Sequence, residues 1–283
     1  MSNKLKQLFF TKMHGAGNDY IYVDATTQMV EKASELSRRL SHRHTGVGAD
    51  GLVLIESSSV AHYAMRIFNA DGSEALMCGN ALRCVGKFLF DNDMISSDSV
   101  DIETKSGVRH LQLLVGENGV KNVVVDMGEP RLANVLQVNT ANGRLDDTMV
   151  NIEGRDCELT YVCMGNPHVV CFVDDVNKVM LYEIGPTIEC DEVFPQRTNV
   201  EFAQIIDYTH IDMRVWERGS GETQACGSGA CATMVAACAT GRCGRKAHVM
   251  MPGGSLIIEW NEHDNHVYMT GEAVTVFTGV VDV

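Results

Sequence analysis

Two cysteines stand in loops of matching design: Asn69-Ala-Asp-Gly-Ser-Glu-Ala-Leu-Met-Cys78-Gly-Asn80 and Glu217-Arg-Gly-Ser-Gly-Glu-Thr-Gln-Ala-Cys226-Gly-Ser-Gly229. Each loop is rich in turn residues and runs into a stretch with helical periodicity. A helix N-terminus presents unpaired N–H groups and about half a positive charge, which stabilises a thiolate and also seats a carboxylate. A cysteine thiol titrates near pH 8.5, and such a position brings it towards neutrality, where it can take or give a proton. The competing reading of any cysteine is a small buried hydrophobe. That reading suits Cys157, Cys163, Cys171, Cys190, Cys238 and Cys243, and Cys84 and Cys231 fall inside the helices as core residues. A metal site is not expected. No C-x-x-C occurs, the pairs Cys78/Cys84 and Cys226/Cys231 lack structural-zinc spacing, and His42-Arg43-His44 does not complete a ligand set.

The elements that must position these loops are mostly short strands, predicted at 8–13, 20–24, 52–56, 63–68, 123–127, 169–173, 211–216 and 256–260. Helices are predicted at 31–40, with Ala33, Leu36 and Leu40 on one face, and at 80–90, with Ala81, Val85, Phe88 and Leu89. A third helix, at 228–240, opens on Ser228 as N-cap and stops before Gly241. The polar stretch 129–147, with Pro130, Asn139, Asn142 and Gly143, interrupts the pattern and reads as a linker or a long hairpin between two halves.

Apolar residues at 45% and charged residues at 21% describe an ordinary globular chain, not a disordered one. The net charge of −14 repels a phosphate backbone, so nucleic acid is not expected as a partner. The first thirty residues lack a signal-peptide pattern and no apolar run reaches membrane-spanning length, so a cytoplasmic chain without membrane contact is expected. In that reducing compartment the ten cysteines are thiols, not disulfides.

Self-similarity is the most informative signal along the chain. Gly17-Asn18 and Gly165-Asn166 each precede a strand, 148 residues apart, and Glu74-x-x-x-Cys78-Gly79 recurs as Glu222-x-x-x-Cys226-Gly227 at the same offset of 148. A duplicated α/β chain with one cysteine loop per half follows. The plainer alternative is coincidence among Gly-rich turns.

With these motifs in hand, the sequence resembles the diaminopimelate epimerase family nearly end to end. The resemblance is carried by Lys12-Met-His-Gly-Ala-Gly-Asn-Asp-Tyr20, Arg43-His-Thr-Gly-Val-Gly-Ala-Asp-Gly51, Phe68-Asn-Ala-Asp-Gly-Ser-Glu74 and Met77-Cys-Gly-Asn80. It continues through Met164-Gly-Asn-Pro-His168, Arg197-Thr-Asn199, the run from Trp216 to Cys231, and Tyr268-Met-Thr-Gly271. The resemblance implies two pseudo-symmetric α/β (α+β) halves, 1–125 with 272–283 and 126–271, each a curved sheet or barrel around a central helix. It also implies cofactor-independent interconversion of LL- and meso-diaminopimelate for lysine and peptidoglycan precursors. In that scheme Cys78 and Cys226 work on opposite faces of the α-carbon, one removing a proton and the other supplying one. N–H groups of Gly79, Asn80, Gly227 and Ser228 would receive charge spreading into the α-carboxylate.

By the same resemblance Asn18, Asn69, Asn166, Asn199, Glu217 and Arg218 contact substrate, Arg218 on the distal carboxylate and Glu217 on an ammonium. Alone, the asparagines read as turn formers and His168 as a strand-start histidine. The family pattern instead places His168 near Cys78 and Glu217 near Cys226, each biasing its thiol. A homodimer with Tyr268 near the contact is implied too.

Two departures from the family pattern stand out. Ala81-Leu82 replaces the usual Gly-Ala after the first cysteine, and Gly51 stands where some relatives carry Gln, so no binding role is given to Gly51. Two other functions fit paired cysteines: a proline or hydroxyproline racemase, which leaves Arg218, Asn166 and Asn199 without a purpose, and a thiol redox switch.

Overall fold

The structure, a computed structural model, describes residues 7–283. The chain divides into two compact units, one formed by residues up to Val125 together with Gly271–Val283 and the other by Asp126–Thr270.

The first unit holds β1 (Gln7–Gly15), β2 (Asn18–Asp24), β3 (Gly51–Ser57), β4 (Tyr63–Asn69), β5 (Glu74–Ala75), β6 (Ser99–Thr104), β7 (Gly107–Gly116), β8 (Gly119–Asp126) and the last strand, β18 (Val274–Asp282). Helices α1 (Ala33–Ser41) and α2 (Gly79–Asp91) lie in the two crossovers that join parallel neighbours, β2 to β3 and β4 to β6. The remaining ladders β18–β1–β2, β3–β4, β4–β5 and β6–β7–β8 are antiparallel.

The second unit repeats the order with β9 (Thr148–Ile152), β10 (Arg155–Cys163), β11 (Pro167–Phe172), β12 (Asn199–Asp207), β13 (His210–Glu217), β14 (Gly221–Thr223), β15 (Lys246–Met251), β16 (Gly254–Trp260) and β17 (Val267–Glu272). Again the parallel pairs, β11 with β12 and β13 with β15, are spanned by helices, α3 (Leu181–Glu189) and α4 (Gly227–Ala239). The helices α1 and α3, like α2 and α4, begin 148 residues apart.

Both α2 and α4 are buried on nearly every side, Gly79 to Gly86 without a break in one and Gly229 to Ala237 in the other. Such all-round burial means the sheet curls about the helix. Thus α2 packs on the neighbours β1 and β2 and also on β7, far from them in the sheet, and α4 packs on β10 to β13, β15 and β16. The outer helices cover the other face: α3 contributes Leu181 and Ile188 to the cluster with Val169, Val200 and Phe202, and α1 adds Leu36 and Leu40 to the one with Leu52 and Leu54.

Several expectations change. The first helix begins at Ala33, not at 31, because Lys32 takes the left-handed conformation (φ 49°) and cannot belong to the helix. Helix α3 went unread because Gly185 and Pro186 lie within it. Residues 129–147 are neither a linker nor a hairpin: they contain no strand, Arg131 forms an isolated bridge with Cys163, and Val138 and Leu145 sit in the core of the second unit. Cys190 is exposed and Cys171 and Cys238 are half-buried, so those three are not core cysteines. The N-cap of α4 is Cys226, and Ser228 lies one step into its first turn.

Gly51 has a structural explanation. A Cβ there would come within 2.1 Å of the Phe68 carbonyl oxygen on β4 and 2.9 Å of the Tyr20 ring, so no side chain fits. Gly51→Ala is expected to destabilise the protein by about 3 kcal/mol through overpacking, measured as a lowered urea midpoint; an unchanged midpoint would show that β3 and β4 can separate freely.

Candidate active site

In each unit the loop before the buried helix is tied down by the same ion pair. Arg66 Nε on β4 donates to Glu74 Oε1 at 2.8 Å, and Arg214 Nε on β13 donates to Glu222 Oε1 at 2.9 Å. The repeated glutamate of the cysteine motif is therefore an anchor between neighbouring strands. In the first unit Ser37 of α1 adds hydrogen bonds to the Phe68 and Asn69 carbonyls at 3.0 and 2.8 Å, and the Asn69 amide is held by Ser73 at 3.0 Å.

Both loops deliver a cysteine in extended conformation to the N-cap position, and no side chain caps either helix. The Cys78 and Cys226 carbonyls accept from Leu82 and Ala230, which closes the first turns but leaves the N–H groups of Gly79, Asn80, Gly227 and Ser228 ahead of the helical ladder. A carboxylate placed there meets fixed donors and the positive helix end.

Beside Cys78 stand two amides, with Tyr22 and Cys84 among its other neighbours. Its thiol donates to Asn18 Oδ1 at 3.4 Å, and Asn80 Nδ2 reaches the same oxygen at 3.5 Å. Asn80 Oδ1 is buried without a hydrogen-bond partner. Asn18 cannot turn over, because its Nδ2 donates to Asp50 Oδ2 at 2.8 Å. Asp50 in turn accepts from Arg43 at 2.8 Å, and Arg43 also binds Asp19 at 2.9 Å, while Lys12 bonds Asp19 and the Gly48 carbonyl. Burial and the neighbouring charge of Asp19 raise the Asp50 carboxyl. For Asp19 burial works upwards, but the bonds from Arg43 and Lys12 outweigh it and hold that carboxyl low. Behind them, Cys84 is pushed up to about 11 by burial.

Around Cys226 the partners are acids. Burial, then the charges of Glu217 and Glu201, push its thiol well above the usual range, against the Gly229 N–H and the Ser228 hydroxyl, which favour the thiolate. Ser228 Oγ lies 3.7 Å from the sulfur. Glu217, at the end of β13, hydrogen-bonds Cys226 and accepts from the Thr223 hydroxyl; its carboxyl is raised by burial. His168, on β11, is fully buried between Glu201 Oε1 at 2.7 Å from Nδ1 and Asn166 Oδ1 at 3.1 Å from Nε2.

Asn199 and Arg218 are joined: Asn199 Oδ1 accepts from the Arg218 N–H at 2.9 Å, its Nδ2 donates to the Pro167 carbonyl at 2.8 Å, and Arg218 Nη1 donates to the Gln196 carbonyl at 2.9 Å. Asn199 thus braces two loops with both ends of its amide, and the exposed Arg218 side chain projects from that brace. Among the described residues no group of three or more His, Cys, Asp or Glu side chains is placed to hold a metal ion.

Sequence reasoning missed Asp50, Gly229 and Glu201. A charged residue amid the apolar Val200-Glu-Phe-Ala203 run was the available signal for Glu201, but 199–207 was not read as a strand.

Two outcomes follow for thiol chemistry. Asp50→Ala frees the Asn18 amide to turn its NH2 towards the sulfur, so alkylation of Cys78 at neutral pH should quicken roughly tenfold. Cys226 should alkylate slowly until well above neutral pH, and Glu217→Gln should speed it by removing a negative neighbour. Mass-spectrometric alkylation rates check both, and a slower Cys78 or an unmoved Cys226 would refute the respective assignment.

The model of the family described as diaminopimelate epimerase matches residues 10–133 and 160–276. The chain is 52% identical over 275 residues to the diaminopimelate epimerase of Methanococcus maripaludis, covering 97% of this chain and 99% of that one. It is 51% identical over 273 residues to that of Phocaeicola vulgatus, covering 96% and 98%. Among solved structures, the phenazine biosynthesis protein of the PhzF family from Bacillus anthracis shares the fold, with TM-score 0.71 at 18% identity over 99% of this chain and 100% of that one. Matched along nearly its whole length, the chain belongs to the diaminopimelate epimerase family.

Proposed function

We propose that the chain interconverts LL- and meso-2,6-diaminopimelate by a two-base exchange at the α-carbon, supplying lysine and peptidoglycan precursors. The observation that carries this reading is the pair of cysteines at uncapped N-termini of two buried helices, set in the same way by the same loop anchor in each repeat.

Inversion requires that a proton leave one face of the carbon and arrive on the other, so one thiolate and one thiol are needed. Burial and two carboxylates favour the protonated form of Cys226. Cys226 is therefore the acid when Cys78, lying among amides, is the base, and the roles exchange for the reverse direction. The N–H groups of Gly79, Asn80, Gly227 and Ser228 receive the charge that spreads into the α-carboxylate. Asn18 and Asn80 orient the substrate amine at Cys78, where the unpartnered Asn80 Oδ1 accepts from it. Asn166 orients the substrate beside His168, and Asn69, braced by Ser73, shapes the entrance. Arg218 selects the distal carboxylate and Glu217 takes an ammonium while it biases Cys226. His168 biases the Cys78 thiol. The scheme uses no cofactor, and it belongs to the cytoplasm, where both thiols stay reduced. No described helix is long and apolar enough to cross a membrane.

A second copy of the chain is the partner that fits the surface best. Phe9 on β1 and Val280 on β18 are direct cross-strand partners, and both lie about half exposed (59% and 49%) beside Val276 at 54%. Tyr268, half-buried and donating to Asp264 Oδ2 at 2.8 Å within the chain, stays assigned near the homodimer contact.

Turnover in deuterated water tests the chemistry. Each stereoisomer should gain solvent deuterium at one α-carbon, proline should gain none, and Cys78→Ser and Cys226→Ser should each abolish epimerisation while affecting the two faces differently. Exchange with proline in preference to diaminopimelate, or undiminished turnover by either variant, would sink the reading. For assembly, sedimentation should show a dimer that Phe9→Asp with Val280→Asp converts to monomer; a parent monomer excludes this face as an interface.

A further inference from the structure

Strand β12 begins Asn199-Val-Glu201-Phe-Ala203, five buried residues in a row. A strand covered on both faces loses its alternation, and here α3 takes Val200 and Phe202 while the opposite face, carrying Asn199 and Glu201, turns to α4. Glu201 is thus a carboxylate with 0% exposure, and burying one costs several kcal/mol unless it is paired. A hydrogen bond to His168 Nδ1, at 2.7 Å, supplies a partner for Oε1, while Oε2 is buried without one.

The space for this carboxylate is made by α4. A Cβ on Gly229 would stand 2.7 Å from Glu201 Oε1 and 3.3 Å from Cys226 Sγ. The missing side chain lets the carboxylate rise beneath the first turn of α4, between the histidine ring and the thiol. Its charge is felt by both acids of the site, raising Cys226 and Glu217.

We propose that Glu201 is a positioning residue for the epimerisation: it holds Nδ1 of His168 as a donor, fixing Nε2 as the nitrogen that faces Asn166 and does proton chemistry, and it keeps negative charge beneath Cys226. A carboxylate behind a histidine sets the tautomer and the orientation of the ring, and hence which nitrogen can work. This rests on the epimerase reading above. The assignments of the thiols and of the His168 ring can nevertheless be measured without substrate, so failure of one is distinguishable from failure of the other.

The test compares Glu201→Gln and Glu201→Asp with the parent in three measurements: the 15N spectrum of the His168 ring, assigned with His168→Asn; the rate of Cys226 alkylation; and kcat and KM for diaminopimelate. Glu201→Gln should shift the ring nitrogens, speed alkylation of Cys226, and lower kcat about 100-fold with KM nearly unchanged. Glu201→Asp, which keeps the charge, should recover much of the kcat and the parent alkylation rate. Parent ring signals with parent kcat in Glu201→Gln would overturn the proposal. So would equal losses in both variants accompanied by a collapse of the unfolding midpoint, which would make Glu201 a purely structural residue. Parent enzyme inactive on diaminopimelate, but with the expected ring shift and thiol response, would overturn the epimerase reading and leave the Glu201–His168–Cys226 arrangement standing.

Discussion

A helix buried on every side must still satisfy the N–H groups of its first turn, and in α2 and α4 no side chain does so. Each helix ends inward at a cysteine whose loop is pinned by an Arg–Glu pair between strands. Most of the molecule serves this arrangement. The curled sheets enclose the helices, the outer helices α1 and α3 back the sheets, and the parallel crossovers place the cysteine loops at corresponding strand ends. What remains at each helix end is a set of fixed donors with a sulfur at its edge, which is suited to a carboxylate whose α-proton is exchanged.

The two repeats share a backbone and differ in their protonatable groups. At the common offset of 148 residues Tyr20 corresponds to His168, Val53 to Glu201, Asn69 to Glu217, and Arg83 to Cys231. A buried guanidinium lies in α2, and acids crowd the start of α4. The proposed two-base exchange needs one thiol charged and the other protonated. In the second unit burial, and then the Glu217 and Glu201 carboxylates, oppose a thiolate at Cys226 and favour its protonated form.

Burial on this scale carries a cost that the structure meets with specific partners. Asp19 is offset by Lys12 and Arg43, and Glu189 by Arg197 at 2.7 Å and Trp216 at 2.8 Å. Among the buried carboxylates of the described residues Glu201 differs, with one oxygen bonded to His168 and the other bare. A stability-driven core would replace it, so its presence points to function.

The sequence by itself determined the repeat and the candidate cysteines, because both are marked by local pattern. Loops that share Glu-x-x-x-Cys-Gly at one offset single out Cys78 and Cys226, and the Gly-rich approach and helical periodicity after each cysteine are properties of neighbouring residues. Asn166 and His168, which alone read as a turn former and a strand-start histidine, became site candidates only through the family resemblance. Strands with clean boundaries, such as β2 and β13, were legible from their own composition. What only the tertiary structure decided involves residues that meet across strands. Asp50 stands 32 positions from Asn18, and Glu201 stands 33 from His168. The strand carrying Glu201 hid because a sheet covered on both faces has no alternating pattern to read. Helix α3 hid because packing on the sheet outweighs the local penalty of Gly185 and Pro186. The raised thiol of Cys226, too, is only partly legible in its own loop: Glu217 is there, but the burial that dominates and the Glu201 charge that β12 brings beneath α4 come from the fold, and charge in a buried site acts through space, not along the chain.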